Sequence, residues 1–178
     1  MKKISVQQMV LTAMMAALIA VFSWISIPLP SGVPATLQTL GISLAGYVMG
    51  PVYGLVSVLV WLLLGIVGLP VFAGFGSGIG SLLGYTGGFL IGFPIMAVLC
   101  GLGKKRPVWL SVVLGLLGLA VVEVLGALQY GILSGNAFGA AFVLVVVPYL
   151  VKDIICVVLM AIVSRQLNKA LASVMREK

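Results

Sequence analysis

The chain has 178 residues, of which 62% are hydrophobic and 7% charged, and its mean hydropathy is +1.32. A soluble domain carries roughly 25% charged residues, so this composition belongs in a bilayer rather than in water. Ten Lys and Arg against three acids leave a net charge of +7 with no His. No GxxxxGK[ST] run or metal-ligand cluster is present, so the chain encodes no energy-coupling NTPase of its own and no metal or cofactor is expected.

At this length the expectation is one domain, residues 1–178, with room for about six spans of ~20 residues. Lys2 and Lys3, the cluster Lys104–Lys105–Arg106, and the group Arg165, Lys169, Arg176 and Lys178 hold nine of the ten bases. The positive-inside rule places all three groups on the cytoplasmic side. This distribution accounts for the basic balance without nucleic acid. The predicted class is therefore an all-α integral membrane protein with six transmembrane helices and both termini cytoplasmic. The opening KK before an apolar run is shared with signal peptides, but no clean small-x-small cleavage site precedes a soluble domain, so the run is read as the first span.

Span 1 is predicted over about Ser5–Ile27, ending at Pro28-Leu-Pro30. Its small residues Ala13/Ala17 and Ala16/Ala20 recur at four-residue spacing, a pattern that lets helices approach closely in lipid. A polar outer loop, Ser31–Thr36, leads to span 2, about Leu37–Met49, with Gln38 and Thr39 just inside its start. Gly50-Pro51 makes an inner turn to span 3, about Val52–Val67. A long Gly-rich outer loop between helices 3 and 4 follows: ten of the residues from Gly65 to Phe93 are glycine. Each glycine costs roughly 1 kcal/mol in a helix interior relative to Ala, so this run is not expected to be buried helix. Irregular backbone at membrane depth survives where it is buried in protein or lines a cavity. The loop therefore reads either as one wall of a small-molecule site or as a plain outer connection. Span 4 is about Gly88–Leu102, the basic turn Gly103–Pro107 returns the chain inside, and span 5 is about Val108–Tyr130. An outer connection Gly131–Phe138 and a second apolar run to Val147 precede span 6, which ends near Ala172.

Lys152 is the one base outside the three groups, and Asp153 adjoins it, with apolar neighbours on both sides. Ionisable groups inside a span are costly and face a cavity or a partner. The pair reads as a ligand contact or as a structural ion pair or helix cap. Glu123, the lone acid of span 5, reads as a buried carboxyl bonded to a neighbouring span, with a proton relay as the other reading. Gln38 and Asn136 offer amides suited to a polar heterocycle. Phe72, Phe75 and Tyr85 offer flat apolar surface, and Gly87 and Gly88 allow close backbone approach to a ligand. Cys100 and Cys156 sit in apolar runs and propose no disulfide.

The runs TLQTL (Thr36–Leu40), AGYVMGPVYG, GLPVFAGFGSG and LLGYTGGFLIGF resemble the BioY family of biotin-binding S components of energy-coupling-factor (ECF) vitamin transporters. Two positions depart from the family pattern. Tyr85 stands where that pattern has Pro, and in PYLVKDIIC Asp153 matches the family acid while Cys156 stands where its Lys is expected. The resemblance implies biotin as ligand and Asp153 as a contact; Gln38, Tyr85, Gly87 and Asn136 are expected as further contacts from their own chemistry, and Lys152 is expected to supply a displaced cation. The resemblance also implies that Ala13, Ala16, Ala17 and Ala20 meet a transmembrane coupling subunit, which joins the chain to two ATP-binding-cassette ATPases. No covalent chemistry follows from it. An S component for another small vitamin, a proton-coupled carrier using Glu123 or Asp153, and a small membrane enzyme or scaffold stand as alternatives.

Overall fold

The computed structural model describes residues 5–176, with side-chain surroundings through Leu171. Lys2, Lys3 and Lys178, and the side chain of Arg176, lie outside that description. The described chain is mostly helical: α1 (Val6–Trp24), α2 (Gln38–Met49), α3 (Pro51–Ile66), α4 (Gly80–Leu83), α5 (Gly87–Leu102), α6 (Val108–Ser134), α7 (Phe138–Val145) and α8 (Val147–Arg176). Three of these, α1, α6 and α8, are long and apolar enough to cross a membrane, and α3 and α5 are shorter apolar helices.

Helix α1 starts on a capping box. Ser5 Oγ accepts from the Gln8 amide at 3.2 Å, and Gln8 Oε1 accepts from the Ser5 amide at 3.2 Å. The helix ends at Trp24 rather than at Ile27, because Ser26–Ile27 (β1) leaves it to pair antiparallel with Ala35–Thr36 (β2), in the register Ser26–Thr36 and Ile27–Ala35. This ribbon folds the polar segment between them back over the start of α2.

Helix α2 is the centre of the molecule. Every residue from Gln38 to Met49 except the half-buried Leu40 is buried. Its neighbours are α1, α3, α5 and α8. The sequence QTLGISLAGYVM permits this, since it carries no charge and two glycines that admit close neighbours.

The basic loops gather at one end. Tyr53 at the start of α3 donates to Gln8 Oε1 at 2.9 Å. A Cβ at Gly50, in the α2–α3 turn, would stand 3.5 Å from Lys104 Cδ. Arg165 of α8 donates to the backbone carbonyl of Arg106, and Asn168 Nδ2 donates to that of Tyr47 at 3.1 Å. The ribbon, the glycine-rich segment and the start of α8 lie at the other end.

Two expectations need correction. The glycine-rich run is not one loop. Helix α3 continues through Ile66, a 3-10 turn (Ala73–Phe75) and α4 punctuate the middle, and Gly87, Gly88 and Gly92 are buried inside α5. The cause is close packing of α5 on α6. A Cβ at Gly88 would stand 2.1 Å from the Leu125 carbonyl oxygen, and one at Gly92 would stand 2.8 Å from Val122 Cα. Contact at that distance offsets the helix-propensity cost, as small residues do between helices in lipid. The segment expected as an outer connection after Tyr130 is helical as well: α6 runs through Ser134, stops at the left-handed Gly135, and α7 occupies part of the second apolar run.

Candidate functional site

A cavity of about 450 Å³ opens at the end opposite the basic loops. It falls within the roughly 300–1,000 Å³ range of small-molecule sites. Residues from the ribbon, α2, the glycine-rich segment, α5, α6 and α8 line it.

Lys152 and Asp153 meet in its wall. Adjacent helix residues point about 100° apart, yet the long Lys152 stem brings Nζ to 2.5 Å from Asp153 Oδ1. The same ammonium donates to the Thr36 carbonyl at 2.6 Å, fastening the first turns of α8 to β2. The Asp153 side chain is 5% exposed and that of Lys152 is 32% exposed. A carboxylate so deeply buried requires its partner. The pair therefore has the geometry of the structural ion pair, and it also faces the cavity.

Gln38 lines the cavity from the start of α2. Its amide is engaged at both ends: Nε2 donates to Ser23 Oγ at 3.1 Å, and Oε1 accepts from Thr36 Oγ1 at 3.1 Å. Glu123 was expected to bond to a neighbouring span. Instead it reaches the cavity from α6, and its buried Oε2 has no hydrogen-bond partner among the described residues.

Tyr85, Gly87 and Asn136 stand outside the lining. Tyr85 packs on Tyr130, ring centroids 5.2 Å apart, and its Cδ2 comes within 3.5 Å of where a Cβ on Gly32 would sit, so it is a neighbour of the rim. A Cβ at Gly87 would meet the Leu82 carbonyl oxygen at 1.8 Å and Gln129 Nε2 at 2.4 Å. Gly87 thus serves the junction of α4, α5 and α6. The exposed Asn136 donates to Ser134 Oγ at 2.9 Å.

The four alanines of α1 divide. Ala16 and Ala20 are buried in the same core cluster as Ile42 and Trp61. Ala13 and Ala17 are exposed, on a face continued by Val10, Met14 and Val21.

Sequence reasoning missed several lining residues. Tyr149 donates to the Val33 carbonyl at 2.6 Å and holds the polar segment over the cavity. Phe89 and Phe93 supply apolar wall from α5. Their i, i+4 spacing puts them on one face of α5, a signal readable in the sequence of span 4.

Fold and cavity together define a helical membrane protein with a small-molecule-sized chamber at the end away from its basic loops. The BioY family model matches residues 1–173. A probable biotin transporter BioY from Pyrococcus horikoshii is 39% identical over 158 residues, covering 89% of this chain and 94% of the relative. The biotin transporter BioY of Thermotoga maritima is 37% identical over 168 residues, covering 92% and 96%. Among solved structures, the crystal structure of the S-component for biotin from an ECF-type ABC transporter superposes with a TM-score of 0.82 at 30% identity, covering 92% of each chain. The chain belongs to the BioY family.

Proposed function

We propose that this chain is the biotin-specific S subunit of an ECF-type vitamin importer and binds biotin in the cavity beside Lys152 and Asp153. The observation that carries the reading is the cavity itself: an apolar chamber of about 450 Å³ whose wall holds a buried acid and its cation. Biotin combines an apolar fused ring and chain with a ureido group that needs acceptors for two N–H groups and a donor for its carbonyl. Asp153 supplies an acceptor, and Lys152 supplies a donor for the ureido oxygen or the valerate carboxylate. Gln38 sits beside them, and Tyr85 and Gly87 contribute by shaping the rim and its supporting turn. A site that leaves such groups unpaired loses affinity steeply, which is how analogues are rejected.

In this reading the protein is one domain in the prokaryotic cell membrane. Six helices (α1, α2, α3, α5, α6 and α8) cross with both termini cytoplasmic, and α7 stays at the outer end. The gathering of the described basic loops at the end away from the cavity supports that orientation. The outward face of α1 meets the transmembrane coupling subunit, and through it two ATPases drive release. The chain itself performs no covalent chemistry.

Equilibrium binding of biotin to the chain purified alone in detergent tests the proposal. Saturable binding of one biotin per chain is the expected result. Failure to bind biotin by a chain that binds a different vitamin would overturn it.

A further inference from the structure

Glu123 lines the cavity with a buried carboxyl oxygen, Oε2, that no described residue bonds. The residue is 5% exposed. Buried carboxyls with a structural role accept bonds from their neighbours, because an unmade bond carries the full desolvation penalty. Other polar groups around the chamber have found such partners: Gln38 bonds Ser23 and Thr36, and Tyr149 bonds Val33.

The charged groups that line the chamber together with Glu123 are Asp153 and Lys152, both on α8. The Lys152 ammonium already donates to Asp153 Oδ1 and to the Thr36 carbonyl. Two acids from two different helices therefore converge on one chamber that holds a single, already engaged cation. Such a chamber has more acceptors than donors, and a ligand carrying N–H donors balances it.

We infer that Glu123 is a further ligand-contact residue, whose carboxyl accepts one N–H of the bound ureido ring while Asp153 accepts the other. This rests on the biotin reading given above. It assigns α6 a share of the recognition and makes the ligand a bridge between α6 and α8.

The test compares the wild-type chain with Glu123→Leu and Glu123→Gln, titrating each with biotin and with its two mono-N-methyl ureido derivatives. Leucine removes the acceptor, and biotin affinity is expected to fall about 10- to 100-fold. Glutamine keeps a neutral acceptor and should lose less. The decisive result is selectivity. For the derivative whose methyl replaces the N–H facing Glu123, wild type and Glu123→Leu should differ by less than about threefold. The full loss should persist for the other derivative. If Glu123→Leu does not fold, Glu123→Gln carries the same comparison. Unchanged biotin affinity in a folded variant, or equal losses for all three ligands, overturns the inference and leaves the biotin reading intact. Absence of biotin binding by the wild-type chain overturns both.

Discussion

The ring of Phe72 occupies the place where a side chain on Gly65 would begin: a Cβ there would stand 2.0 Å from Phe72 Cζ. Phe72 is 3% exposed, packs edge-on against Trp61 with centroids 5.3 Å apart, and lines the cavity. Trp61 Nε1 in turn donates to the Val71 carbonyl at 2.9 Å. The glycine in α3 thus seats an aromatic wall of the chamber. Gly65→Val should displace that ring and lower both the melting temperature and ligand affinity, overpacking of this kind costing about 1–3 kcal/mol. Adding Phe72→Leu should recover part of the stability but not the affinity. A thermal melt and a biotin titration on the three variants check this, and unchanged behaviour of Gly65→Val would show that the wedge is unimportant.

Asp153 and Lys152 separate binding from stability. Asp153→Asn keeps size but replaces a charged acceptor with an amide that is half donor. Its biotin affinity should fall about 10- to 100-fold. Lys152→Met strands a carboxyl that is 5% exposed and also releases Thr36, so it should lower the melting temperature more than Asp153→Asn does. If the ammonium also holds the ligand's carboxylate, Lys152→Met weakens biotin more than it weakens an uncharged biotin amide. Equal losses for the two ligands would restrict Lys152 to its structural bonds.

On α1, neighbouring alanines should respond oppositely. Ala17 is exposed, so Ala17→Trp should leave the melting temperature and biotin binding intact while abolishing co-purification with the coupling subunit. Ala16 is 2% exposed, and Ala16→Trp should destabilise the chain itself by at least about 1–3 kcal/mol. Loss of biotin binding by Ala17→Trp would mark its face as internal support.

Gly88 tests the α5–α6 contact. Valine there would drive a side chain into the Leu125 carbonyl, so Gly88→Val should part the two helices and lower the melting temperature sharply. Gly139, which has nothing within 4 Å of the Cβ position, is the control: Gly139→Ala should be neutral or slightly stabilising. Equal melting temperatures for the two variants would contradict the packing.

The parts of this fold written as charge in an apolar context were legible from residues alone. Lys152 and Asp153 stood out because nothing beside them is polar, and the chamber contains both. The ends of α2 and α5 were close to expectation because Gly50-Pro51 and Gly103–Pro107 punctuate the chain. Properties that depend on distant neighbours were not legible. Gly88 and Gly92 fall within the expected span 4, but why a helix should carry them is hidden until Leu125 and Val122 are placed against them. Ala16 and Ala17 are chemically identical, and only the position of α1 on the body buries one and exposes the other. Glu123 showed itself as an acid among aliphatic residues, but that its Oε2 lacks a hydrogen-bond partner among the described residues is a fact of three dimensions.

The buried state of α2 has a consequence for how the chain is made. At 1.5 Å per residue its twelve residues extend about 18 Å, well short of a hydrocarbon layer of about 30 Å. A segment so short, with Gln38 and Thr39 in its first turn, is a poor independent passenger of the insertion machinery. Helices α1 and α3 can flank it early, but the rest of its surroundings come only with α5 and α8, which are synthesised later. Biogenesis must therefore hold the N-terminal third of the chain in a provisional arrangement. Chains truncated after α3 should be cleared by quality control, although each of their helices is already complete.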